Sequence, residues 1–129
     1  MAIRIVQLGT PRAADEGLRL GTVRRPPRGV PKAEVAARDY YDVWLPNLAP
    51  SAELFGWLKA QPDIDRAWPA FAKRYRAEMK TPELQHLLAT LAAFSRHTDF
   101  AVGCYCEDEA RCHRSLLRGL LEQHDAVLA

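Results

Sequence analysis

Residues 99–124 read DFAVGCYCEDEARCHRSLLRGLLEQH. Asp99 to Cys106 is a short apolar run with strand chemistry, and Glu107-Asp108-Glu109 closes it. From Ala110–Cys112 to about His124 the apolar residues return at helical spacing. Leu116, Leu117, Leu120 and Leu121 form one face. Acids just ahead of a helix complement its dipole. A strand leading straight into an amphipathic helix is the unit from which parallel sheets are built.

The rest of the chain extends this pattern. Ile3-Arg4-Ile5-Val6-Gln7-Leu8 reads as a first strand, stopped by Gly9-Thr10-Pro11. Residues 12–17 are polar and read as a loop or short helical turn. Leu18-Arg19-Leu20-Gly21-Thr22-Val23 alternates like a second strand. Residues 39–45 are apolar but short, and fit a further strand or a helix. Ser51 is a good N-cap for a helix over 52–60 that buries Leu54, Phe55 and Leu58. Residues 63–80 are helical, with a break expected near Pro69. Phe71, Tyr75 and Met79 fall on one stripe. Thr81 caps the next helix, with Pro82 at its first position and Leu84, Leu87, Leu88 and Leu91 as its apolar face. The expected fold is α/β: one small domain over residues 1–129, with a short, mainly parallel sheet flanked by helices.

Composition narrows the class. The 129 residues are 48% hydrophobic and 26% charged, which excludes a disordered chain and a disulfide scaffold. No apolar run approaches the roughly 18 residues of a membrane helix. Met1-Ala2-Ile3-Arg4-Ile5 lacks the pattern of an export signal. With three cysteines, a reducing cytoplasm is the expected setting. Net charge is 18 − 16 = +2, too small to argue for nucleic acid by itself. The basic residues are unevenly spread, however. Arg19, Arg24, Arg25, Arg28 and Lys32 fall in one stretch without an acid. Within it, Arg24-Arg25-Pro26-Pro27-Arg28-Gly29-Val30-Pro31 forbids helix and interior strand and reads as an extended loop.

In parallel sheets ligands bind outside the carboxyl ends of the strands. The Arg/Pro loop leaves the carboxyl end of the second strand, and the Cys104–Ser115 segment leaves that of the strand over 99–106. If those strands are parallel, the two segments meet at one edge. Arg25, Arg28, Arg114 and Ser115, with the amides of a helix start, are then the expected donors to a phosphate or carboxylate. Cys112 in a first helical turn is a candidate nucleophile, His113 an acid or base, and Glu107 a base or orienting carboxylate. The plain alternative makes Cys112 a small core residue, His113 an exposed first-turn residue and the basic loop a solvated surface.

Cys104, Cys106, Cys112 and His113 are four zinc-type donors, but their spacing matches no zinc knuckle or ribbon. Cys104 and Cys106 share a strand face, whereas helical neighbours Cys112 and His113 would diverge by about 100°. No metal or other cofactor is therefore expected, zinc being the one candidate. A redox pair, Cys104–Cys106 or Cys106–Cys112, is a weaker alternative. No phosphate-binding glycine loop, nucleophile elbow or thiol-phosphatase spacing occurs. His86, His97 and His124 are isolated surface or helix-end residues, and Trp44, Trp57 and Trp68 are expected to pack the core.

Four stretches resemble the domain-of-unknown-function 488 family, and its YeaO-like branch in particular. Arg24–Lys32 is similar to the branch's Asp-Arg-Leu-Trp-Pro-Arg-Gly-x-x-Lys. Trp44-Leu45-Pro46-Asn47-Leu48-Ala49-Pro50-Ser51 resembles its Trp-Leu-x-x-Leu-Ala-Pro-Ser. Phe71-x-x-Arg74-Tyr75-x-x-Glu78-Met79 resembles Phe-x-x-Arg-Tyr-x-x-Glu-Leu, and Cys112-His113-Arg114 matches a Cys-His-Arg of the wider family. The chain departs from the pattern before the first Arg, where Arg24 or Val23 replaces Asp, and at Pro26, which stands in place of Leu-Trp. Cys104 and Cys106 are not part of it. The resemblance implies a small α/β domain and no established reaction. The expected partner is a small anion. The alternatives are a nucleic-acid or protein-binding module using Arg19–Lys32, and a Cys/His metal protein; no membrane partner is expected.

Overall fold

A computed structural model describes residues 1–129. Four parallel strands form one sheet in the order β1-β4-β2-β3: β1 Ile3–Gln7, β2 Leu18–Gly21, β3 Val43–Trp44 and β4 Phe100–Cys104. The helices are α1 Ala52–Lys59, α2 Ile64–Glu78, α3 Pro82–Ser95 and α4 His113–Gln123. The fold is α/β, as expected. β4 lies between β1 and β2, with Ile5, Val102 and Leu20 in one register row. The condition for a shared edge is thus met: the loops after β2 and β4 leave adjacent parallel strands side by side.

The two faces of the sheet are covered differently. Ile3, Phe100 and Val102 join buried residues of all four helices in one aliphatic and aromatic core. The other face is covered by loops. The ring of Tyr41 lies so close to Gly21 that a Cβ there would stand 2.4 Å from it. Arg19 spans the same face beneath residues 10–16. A second, smaller core gathers Leu8, Val23, Val35, Tyr41, Cys104 and Cys112 at the carboxyl edge. No helix is long and apolar enough to cross a membrane.

Local signals were mostly followed. The side chains of Ser51, Asp63 and Thr81 each accept from a first-turn amide of α1, α2 and α3. Phe71, Tyr75 and Met79 are buried. Several expectations need correction. α2 continues through Pro69 without a break. Trp68 stacks on Phe71 at 5.0 Å and anchors the helix face, and this packing outweighs the ~3 kcal/mol a mid-helix proline costs. The segment 39–45 contributes only a two-residue edge strand. Phe55 and Trp44 are exposed rather than buried. The Trp44 indole donates to the Val23 carbonyl at 2.7 Å, so it pins the Arg/Pro loop instead of filling the core. Trp57 and Trp68 do pack against the core, half-buried.

Candidate functional site

β4 ends at Cys104, and the chain passes through Tyr105 and Cys106 to a 3-10 turn over Glu109–Arg111. Cys112 follows with an extended backbone, φ −121° and ψ 150°, and serves as the N-cap of α4. It therefore precedes the helix instead of lying in its first turn. No side chain caps α4. Two contacts hold this segment to the end of β2: the Tyr105 hydroxyl donates to the Arg25 carbonyl at 2.8 Å, and His113 reaches Thr22.

His113 is buried, 5% exposed, which corrects the reading of an exposed first-turn residue. Its Nε2 lies 2.8 Å from the Thr22 carbonyl oxygen. A carbonyl only accepts, so Nε2 carries a proton. Nδ1 then faces the Cys112 Sγ at 3.8 Å, and Tyr75 packs its ring against the imidazole with centroids 5.7 Å apart. A thiol, an imidazole and a group that orients the imidazole form the arrangement used to activate a nucleophile.

The Sγ atoms of Cys104, Cys106 and Cys112 all lie within 4.8 Å of one another, and all three cysteines are free. Contacts with the Cys104 and Cys106 thiols, and then with His113, hold the Cys112 thiol well below its ordinary range against the opposing effect of burial. Cys104 moves up, because its proton is engaged first with Cys106 and then with Cys112. The contact with Cys104 favours a Cys106 thiolate, but the one with Cys112, together with burial, outweighs it and moves Cys106 up.

Arg114 is 3% exposed. Its Nη2 donates to the Cys106 carbonyl, Nε has no partner, and no carboxylate pairs with it. Arg25 and Arg28 are exposed on the loop after β2, and their guanidinium groups make no hydrogen bond or ion pair within the chain. The other expected residues are placed differently. The Ser115 hydroxyl donates to the Cys112 carbonyl at 3.0 Å. Glu107 is exposed, and its carboxylate makes no hydrogen bond or ion pair. Arg19, read as part of a basic phosphate-contacting stretch, is 1% exposed and paired with Glu16. Arg24 donates to the carbonyls of Pro50 and Ala49. The stretch therefore offers fewer free cations than its sequence suggests.

A groove of about 450 Å³ lies along β1 among Arg4, Gln7, Thr10, Glu16 and Arg118, and no cysteine lines it. Arg4 and Arg118 are already paired there, with Asp15 and Glu109. Sequence reasoning missed Thr22 and Tyr105 as supports of the site. The signal was their position, each just past the end of a parallel strand.

Fold and site together define a small parallel α/β protein with a thiol-rich carboxyl edge. A family model described as the active DUF488-N3 subclade matches residues 3–125, and the chain belongs to the domain-of-unknown-function 488 family. No curated protein matches the chain, and no solved structure does.

Proposed function

We propose that the carboxyl edge of the sheet binds a small phosphate- or carboxylate-bearing ligand. Arg25 and Arg28 recruit it, Arg114 and the uncapped start of α4 supply the buried positive end, and Ser115 stands at that start. Cys112 and His113 are the reactive pair, with Glu107 on the flanking loop.

The observation that carries this reading is Arg114. A guanidinium does not shed its charge, and a buried charge without a counter-charge costs several kcal/mol. Arg114 nonetheless sits buried with a free Nε and no acid. A ligand anion offsets that cost. The subclade's description as active agrees with a reactive pair at the same edge. The Trp44–Ser51 stretch supports the YeaO-like branch, and three free cysteines support a reducing cytoplasm.

The test is thermal melting against inorganic phosphate, short phosphate esters and small carboxylates. A ligand at about 100 times its Kd adds ~2.7 kcal/mol of stability. A shift with at least one such anion is expected, falling by about half or more in Arg28→Ala and in Arg25→Ala. No shift with any of them, or an equal shift in both variants and the parent, overturns the reading.

A further inference from the structure

We propose that Cys104, Cys106 and Cys112 form a tri-thiolate site for a thiophilic divalent cation of the zinc class, with one coordination position left open. The inference does not rest on anion binding. It concerns what the three sulfurs hold, and it shares one residue with the anion reading, because a bound tri-thiolate site would itself answer the buried charge of Arg114.

The first support is geometric. Zinc–sulfur bonds of about 2.3 Å in a tetrahedral site place sulfur pairs roughly 3.8 Å apart. Cys104 and Cys106 already stand at 3.8 Å, and all three sulfurs lie within 4.8 Å of one another. Small side-chain rotations convert this cluster into a ligand set. Its assembly follows from the local backbone: Cys104 ends β4, Cys106 follows two residues on with its sulfur beside it, and Cys112 returns to them at the start of α4. The divergence expected of Cys112 and His113 as joint ligands does not bear on a set of three sulfurs without His113, which Cys112 joins from an extended backbone.

The second support is charge. Three thiolates around a divalent cation carry a net charge of −1, and the buried Arg114 supplies +1 with no carboxylate to neutralise it. Its Nη2 donates to the Cys106 carbonyl, so it braces the loop that carries one ligand. Such outer contacts orient the ligands of metal sites. His113 braces the neighbouring ligand in a similar way, since its Nε2 is fixed on the Thr22 carbonyl.

Three protein ligands and one open position are the pattern of reactive zinc sites, not of closed structural ones. With the cation bound, Cys112 becomes a ligand, and the reactive position moves to the cation's fourth site. The loop carrying Arg25 and Arg28 lies beside the cluster, tied to it through Tyr105.

The experiment is a cobalt titration of the full-length chain, stripped with chelator and kept under reductant, followed by displacement with zinc. One Co²⁺ per chain is expected, with intense thiolate-to-cobalt absorption and the visible bands of a tetrahedral ion, all abolished by one equivalent of Zn²⁺. Cys106→Ser, at the half-exposed position, and Cys112→Ser are each expected to weaken binding about tenfold or more. Circular dichroism confirms that each variant folds. Absence of the thiolate band at excess cobalt overturns the proposal, as does a band of parental strength in both variants. The anion melts repeated on stripped protein separate the two readings: a phosphate shift without cobalt binding ends the metal site and leaves the anion site standing.

Discussion

Arg19 and Arg114 are buried to almost the same depth, 1% and 3% exposed, but in opposite company. Arg19 is saturated. It pairs with buried Glu16 through Nε and Nη2 and donates to the carbonyls of Thr10, Asp39 and Pro11. It bridges two loops over the face of the sheet that has no helices. Arg114 has a single carbonyl partner and an idle Nε. One guanidinium substitutes for a missing hydrophobic layer, and the other is the one proposed above to meet a ligand. Burial alone therefore does not distinguish the two charges; the number of satisfied donors does.

The largest effect expected from this comparison is that of Arg19→Met. It leaves Glu16 buried without its partner, and three carbonyls lose a donor. A loss of about 3–5 kcal/mol is expected, seen in thermal melts as a drop of roughly 10–20 °C. A drop of only a few degrees breaks the structural half of the comparison.

Acid sharpens it. Burial alone raises the Glu16 carboxyl, but the hydrogen bonds and charge of Arg19 outweigh it and hold the group below its ordinary 4.5. A carboxyl depressed in the folded state contributes stability that is present above its unfolded pKa and lost as pH falls through the folded one. Melting temperature is therefore expected to be level near neutrality and to decline below about pH 4.5. The decline is expected to be shallower in Arg19→Met. An unchanged slope in that variant removes Glu16 as a cause.

Arg114→Met carries the smallest expected cost, within about 1–2 kcal/mol of the parent. One carbonyl contact is lost, and the burden of an unneutralised charge goes with it.

Much of the fold could be read directly. The βα unit at 99–124, the caps Ser51 and Thr81 and the stripe Phe71–Tyr75–Met79 are local patterns, and each forms as its pattern dictates. The adjacency of the Arg/Pro loop and the Cys-His-Arg segment was legible too, because parallel strands send successive loops to one edge. Contacts between distant residues were not. His113 is buried where a carbonyl 91 residues away accepts its hydrogen bond. Arg19 looked like one of a basic run, because its partner Glu16 sits in a loop with no periodicity to mark it. The three sulfurs converge because Cys112 adopts an extended cap conformation, and this single pair of dihedral angles decides the geometry. Pro69 misled for the opposite reason: the local penalty is real, but the stacked aromatic face Trp68–Phe71–Tyr75 overrides it.

The most direct test of the account is the melting temperature of Arg114→Met, with and without inorganic phosphate, beside the parent and Arg19→Met. Near-parental stability without phosphate and no stabilisation on adding it are the predicted results. A loss as large as that of Arg19→Met, or a phosphate shift equal to the parent's, would show Arg114 to be scaffold and contradict the claim that this edge of the sheet is a binding site.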